Sequence, residues 1–197
     1  MKAALLNGPN DVTITDRATP ACGEGQVLVR ITHVGICGTD TKIYDGGILA
    51  NYPVVMGHEG VGEIIEGQAA DGSGPGNRVI IDPVLYCENC FYCARGDTHL
   101  CENGGMLGRE VDGVYTENYL APAGNVFALG DNINMTEGPL IQVMTTVLHA
   151  QNRANIQADE VVVVLGLGVT GLLQIQVAKA LGAKAVVGVS RNAHKRG

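Results

Sequence analysis

Over the first hundred residues, apolar and polar positions alternate in short runs. Ala3–Leu6, Val12–Thr15, Val27–Thr32, Val61–Ile65 and Arg78–Ile81 are apolar or β-branched. Turn-forming clusters such as Asn7-Gly8-Pro9-Asn10 and the stretch DGSGPGN at 71–77 separate them. Val114–Ala121 and Val126–Leu129 continue the pattern, which predicts an all-β sandwich or a partly open barrel. Near Thr136 the period changes. Leu140, Val143, Met144, Val147 and Leu148 fall on one side of a helix over 139–152, with Thr136 as its N-cap. After a polar link over 151–159 come a strand (VVVVL, 161–165), a glycine-rich turn, and a helix carrying Val169, Leu172, Leu173, Val177, Ala180 and Leu181. Gly182 closes that helix and Ala185–Val189 forms a second strand, completing a βαβ unit.

Composition narrows the class. With 197 residues the chain has room for one core, or for one domain and part of another. The 28 glycines fit a turn-rich β body, and a net charge of −7 argues against general nucleic-acid binding. The apolar region 161–189 is interrupted by Gln174, Gln176, Lys179 and Lys184, so it does not read as a membrane span, and no signal peptide is visible. These features predict a cytoplasmic protein. Its six cysteines are then metal ligands or free thiols rather than disulfides.

Cys87, Cys90, Cys93 and Cys101 have the spacing C-x2-C-x2-C-x7-C. Four thiolates suit a closed, tetrahedral structural zinc site. An iron–sulfur cluster is the competing reading, but its usual run ends x3-C-P, whereas Asp97 stands at that position here and Glu102 follows Cys101. Two further stretches, GICGTD (35–40) and GHEGVG (57–62), place Cys37 and His58 between glycines. Both are good zinc donors. Asp40 is placed to accept the second ring N–H of His58, and Thr39 offers a hydroxyl for passing a proton. Taken singly, Cys37 is more often an inert core thiol and His58 more often a hydrogen-bonded core imidazole than a metal ligand. The same plain reading holds for Cys22, His33, His99 and His149.

GICGTD, GHEGVGEI, the four-cysteine lobe and VVVVLGLGVTG occur in an order that resembles the zinc-dependent medium-chain alcohol dehydrogenases, in their polyol and sugar branch. The resemblance implies an α+β chain: a GroES-like β-barrel catalytic domain over 1–155, then the first βαβ unit of a Rossmann dinucleotide-binding domain over 156–197. It implies two zincs, one catalytic and one structural. Cys37, His58 and Glu59 match the catalytic-zinc motifs, Thr39 the start of the proton relay, and Cys87, Cys90, Cys93 and Cys101 the structural site. Gln142 stands where that branch usually carries a ligating Glu. Its carbonyl either ligates the ion or hydrogen-bonds a bound water. A zinc-free quinone-reductase relative is disfavoured by Cys37, His58 and the lobe together.

Gly166, Gly168, Val169 and Gly171 form the dinucleotide turn between strand and helix. An NAD-preferring site wants an acidic residue after the second strand, but 161–197 contains none. Ser190 and Arg191 stand there instead, with Lys195 and Arg196 beyond, a set that points to the 2′-phosphate of NADP or to a solvated basic helix start. The reaction implied is reversible oxidation of a small-molecule alcohol to a carbonyl, with hydride passing to NADP. The protein is expected to be a homo-oligomer at full length, with no nucleic-acid or membrane partner. The chain reads as the amino-terminal portion of a longer protein, able to bind zinc but not to turn over alone. The alternative is a non-catalytic zinc-binding module completed by another chain.

Overall fold

The computed structural model describes residues 1–196. Gly197, the last residue of the expected nucleotide domain, and the side chain of Arg196 in the basic tail lie outside the described residues. Two compact units divide between Pro139 and Leu140. The helix after Pro139, which lies before the expected domain boundary at 155/156, packs on the nucleotide-turn helix.

In the first unit the elements run β1 Lys2–Gly8, β2 Asp11–Asp16, β3 Gln26–Gly35, α1 Gly38–Tyr44, β4 Val54–Val55, β5 Glu59–Gly67 and β6 Arg78–Ile81. Then follow β7 Val84–Leu85, α2 Phe91–Ala94, β8 Gly105–Met106, β9 Asn118–Pro122 and β10 Val126–Ala128. Five strands form an antiparallel sheet in the order β10-β6-β5-β3-β9, and β2-β1-β4 form a second sheet. Two β-bulges in the β3–β5 ladder, at Leu28/Val29 and Ile31/His33, bend the larger sheet. The isolated bridge Ala3↔Thr116 joins the rims, giving the partly open barrel that the alternating pattern predicts. Inward positions of β3, β5 and β6 (Val27, Val29, Ile64, Val79, Ile81) meet Leu107, Val114 and Val126 in the main core. Each such side chain contributes roughly 1.5–3 kcal/mol. A second cluster, Leu6, Ile43, Val54 and Met56, fixes α1 against the rim.

The segment 114–121 is not one strand. Only Asn118–Pro122 pairs with β3. Val114 and Tyr115 instead donate backbone N–H bonds to Gly57 O (3.0 Å) and Met56 O (2.8 Å), while Ala4 N–H donates to Tyr115 O (2.8 Å). The chain bends at Val114 and Glu117 and changes partners halfway.

The second unit holds α3 Leu140–Ala154, β11 Val161–Leu165, α4 Val169–Ala180 and β12 Ala185–Val189. β11 and β12 pair in parallel, Val161 opposite Ala185 through Leu165 opposite Val189, so the βαβ unit is present. Two expectations need correcting here. Thr136 is not the cap of α3: it sits in a preceding turn, and its N–H and hydroxyl bond Asn134 Oδ1. The presumed polar link begins inside the helix, because Gln151 is buried one turn after Val147 and its amide donates to Gln174 O on α4 (2.7 Å). Val147 packs with Leu173 and Val177 between the helices. Val161, Val163, Leu165, Val187 and Val189 are exposed among the described residues, as two parallel strands under one helix require. No helix among them is long and apolar enough to cross a membrane.

Candidate metal centres and nucleotide cleft

The cysteine lobe is an irregular excursion between β7 and β8. Cys87, Cys90, Cys93 and Cys101 bring their sulfurs within 4.8 Å of one another, and Cys90 Sγ lies 3.9 Å from Cys101 Sγ. A tetrahedral zinc with bonds of about 2.3 Å spaces its sulfurs by about 3.8 Å, so the donor set fits that ion with little contraction. The lobe favours the thiolate at two of these cysteines. The backbone N–H of Asn89 and the amide of Asn103 lower Cys87 to about 6, and the N–H groups of Cys93 and Glu102 lower Cys90. Burial and the neighbouring sulfurs push Cys93 up to about 12, because adjacent negative charges oppose its ionisation. Four thiolates at this spacing need a cation between them. All six cysteines are free of disulfides.

The second cluster is built at the open end of the β3–β5 ladder. Cys37 follows β3 and precedes α1, Glu59 is the first residue of β5, opposite Gly35, and His58 precedes it. Cys37 Sγ, a His58 ring nitrogen and a Glu59 carboxylate oxygen lie within 4.8 Å of one another. Gly35 makes room for this: a Cβ there would sit 2.1 Å from Glu59 Oε2. His58 and Glu59 are buried, and Cys37 is half-buried.

Asp40, on the first turn of α1 and 2 % exposed, lies behind His58, with Oδ1 3.2 Å from Nδ1. The contact is off the axis of a good hydrogen bond, so both atoms are otherwise without partners. Oδ2 accepts the Cys37 N–H (2.8 Å) and lies 2.9 Å from Tyr115 Oη. Burial works against the charge on Asp40, but His58, the Cys37 N–H and Tyr115 outweigh it and hold the carboxyl below its ordinary range. Burial likewise opposes a charged His58, yet Asp40 and Cys37 raise it to about 9. Burial raises Glu59, with His58 and Cys37 offsetting part of the effect. An imidazole so eager for a proton, among one thiol and two carboxyls, marks a pocket short of positive charge. A divalent cation bound to these donors meets that need, and the residues fit zinc with a position left open.

Thr39 is half-buried on α1, and its hydroxyl makes no hydrogen bond among the described residues. Gln142 stands half-buried in the first turn of α3, within the second unit. Cys22 bonds Gln26 O (3.3 Å), His33 contacts Thr32 Oγ1 (3.2 Å), and His99 and His149 are exposed, all consistent with their plain reading. Tyr115 escaped the sequence reading because its partner Asp40 is 75 residues away and nothing beside it signals the contact.

In the second unit, Gly166, Leu167, Gly168, Val189, Ser190 and Arg191 line a cleft of about 470 Å³. Gly166 has φ +104°, which side chains rarely adopt, and a Cβ on Gly171 would sit 1.8 Å from Gly166 O. A Cβ on Gly168 would meet no atom, leaving that backbone open. Gly168 caps α4, whose first N–H groups point out of the helix beside this turn. Val169 and Gly171 shape the turn, while Ser190 and Arg191 form the rim beyond β12.

Residues 23–131 match the Alcohol dehydrogenase GroES-like domain. The sorbitol dehydrogenase of Bombyx mori is 37 % identical over 191 residues, 94 % of this chain and 55 % of that protein. A candidate zinc-binding dehydrogenase from Sinorhizobium meliloti 1021, solved bound to NADP, superposes with a TM-score of 0.92 at 33 % identity, covering 99 % of this chain and 57 % of that one. The short chain alcohol dehydrogenase of Escherichia coli CFT073, complexed with NADH, gives 0.88 at 30 % identity over 99 % and 58 %. The chain spans about half the length of the relatives it matches. A half-barrel with this order of strands, bearing both cysteine clusters and matched over more than half its residues, belongs to the zinc-type alcohol dehydrogenase family with a GroES-like domain.

Proposed function

We propose that the protein is a zinc-dependent oxidoreductase that transfers a hydride between a polyol, sugar or secondary alcohol and NADP. One observation carries this reading: Cys37, His58 and Glu59 converge with Asp40 behind the imidazole, a cation site with an open position. In this reading Cys37, His58 and Glu59 hold the catalytic zinc, and Cys87, Cys90, Cys93 and Cys101 hold a structural one. When bound, the first ion supplies Lewis acidity at the alcohol oxygen and the nicotinamide supplies the hydride acceptor. The remaining work falls to the chain. Asp40 holds the His58 tautomer that leaves the other ring nitrogen for the ion. Thr39 carries the alcohol proton outward through its unengaged hydroxyl.

The turn Gly166–Gly171, with Val169 opening α4, takes the pyrophosphate, and Ser190 and Arg191 take the adenosine 2′-phosphate. Solved neighbours carry NADP in one case and NADH in another, so the NADP preference rests on these two side chains and on the absence of acid after β12. Residues 1–155 act as the catalytic domain and 156–197 as the start of the nucleotide domain, in a cytoplasmic homo-oligomer. The test is steady-state kinetics of the full reading frame on a panel of polyols, sugars and secondary alcohols with each cofactor. Zinc-dependent turnover with a higher kcat/KM for NADP, lost in Arg191→Ala, is expected. Turnover that survives removal of all zinc overturns the reading, and equal or better use of NAD overturns the cofactor assignment.

A further inference from the structure

We infer that Tyr115 is a positioning residue for this metal centre: its hydroxyl fixes Asp40, and through Asp40 the orientation of His58. The inference rests on the proposed zinc site. Tyr115 Oη lies 2.9 Å from Asp40 Oδ2 and 3.2 Å from Gly35 O, and its single proton goes to the nearer, charged partner. Asp40 Oδ2 is then saturated by two donors, the Cys37 N–H and the Tyr115 hydroxyl. This leaves Oδ1 turned toward His58 Nδ1. A buried carboxylate with one donor can rotate about its last torsion. With two donors converging on one oxygen it cannot, so the imidazole plane is set from two sides of the fold.

The ring is held as firmly as the hydroxyl. Tyr115 donates its backbone N–H to Met56 O and accepts from Ala4 N–H, both at 2.8 Å, which ties it to β1 and to the segment that leads into His58. Its ring lies flat over Gly57: a Cβ on Gly57 would fall 2.3 Å from Cδ1. Gly57 also has φ +90°. The glycine before the histidine therefore serves two ends. It lets the backbone turn His58 inward, and its missing Cβ leaves the space that the tyrosine ring occupies. Burial and the Asp40 charge raise Tyr115 well above its ordinary range, which keeps the hydroxyl protonated as a donor at neutral pH.

The test is zinc and cobalt titration of the chain carrying Tyr115→Phe, which keeps the ring over Gly57 and removes only the hydroxyl. Affinity at the Cys37–His58–Glu59 centre is expected to fall about tenfold, at the low end for partners standing behind metal ligands. The cobalt ligand-field spectrum of that centre should change, while zinc in the four-cysteine lobe holds. The same substitution in an Asp40→Ala background should produce no further loss, since Tyr115 acts through Asp40. Unchanged affinity and spectrum in Tyr115→Phe, or a further tenfold loss in the Asp40→Ala background, overturns the positioning role. A wild-type chain that binds one zinc only, in the lobe, overturns the proposed zinc site and this inference with it.

Discussion

The two cysteine-bearing centres sit in one domain but are made in opposite ways. The lobe draws four ligands from a single run of fifteen residues, 87–101, whose only regular structure is a four-residue helix and a 3-10 turn. Three of its cysteines are half-buried, and among the described residues no buried apolar cluster includes any of the four. The Cys37 centre draws its donor residues from two segments that the β3–β5 ladder has already brought together, and two of the three, His58 and Glu59, are buried. In the proposed reading, an ion in the lobe would organise the chain, whereas at the Cys37 centre the chain organises the place for an ion. The difference teaches where affinity comes from: a lobe spends binding energy on ordering itself, whereas a ladder-borne site has its geometry before the ion arrives.

The comparison breaks most visibly in the lobe. Cys90→Ser should remove one zinc per chain and leave 87–101 open to proteases, while the barrel's far-UV circular dichroism persists. Structural zinc is worth on the order of 10 kcal/mol to small metal-organised folds, far more than a lobe this size can replace. Persistent protease resistance in the variant would show that the lobe is ordered by packing instead.

His58→Ala should abolish zinc at the second centre, an effect of more than a hundredfold on affinity, with the lobe still loaded and its protease pattern unchanged. Loss of both zincs together would show that the two centres are coupled. Gly35→Ala is a smaller and sharper probe. The new methyl group displaces the Glu59 carboxylate, since the backbone on the β3 side is held by the ladder. If Glu59 ligates, zinc affinity at that centre falls about tenfold, and Glu59→Gln gives a similar loss. If neither changes titrations with zinc, Glu59 stands outside the shell.

The smallest effect separates metal from scaffold. Asp71 lies on the surface, and its carboxylate accepts N–H bonds from Ser73 (2.9 Å) and Ala128 (2.7 Å), which lower it below its ordinary 3.8. A group with a depressed folded-state value stabilises above the unfolded value and loses that contribution as pH falls through the folded value. The melting-temperature gap between wild type and Asp71→Asn should therefore be full at neutral pH and close in acid below about pH 4. It should be the same with and without zinc. A gap that widens in acid would mean the sign is wrong.

Much of this architecture is legible in the chain because the relevant signals are local. The strand runs, the βαβ unit, and the lobe spacing each lie within one short window, and all three appear in the structure. The second centre is legible only in part. Cys37 and His58 are 21 positions apart, and they carry no shared period. What joins them is the pairing of Gly35 with Glu59, a tertiary fact. Tyr115 is further still from anything that would announce it. The misplaced Thr136 cap and the helix that runs past Gln151 have another cause. A polar side chain reads as a stop signal unless one knows that a neighbouring helix offers it a partner, as α4 does for Gln151.

The register of Gly35 opposite Glu59 has a thermodynamic consequence. Any ion shared by Cys37 and Glu59 fastens the last rung of a ladder whose other rungs run inward through the main core. An ion that binds the paired ladder and not the separated strands stabilises the whole sheet, by about 2.7 kcal/mol at a free concentration one hundred times its dissociation constant. The same linkage runs in reverse: whatever loosens β3 from β5, even at the far bulge near Val29, lowers the hold on the metal. If zinc binds there as proposed, the melting curve and the metal-binding curve become two readings of one equilibrium, and the free metal concentration sets how often the ladder opens at its rim.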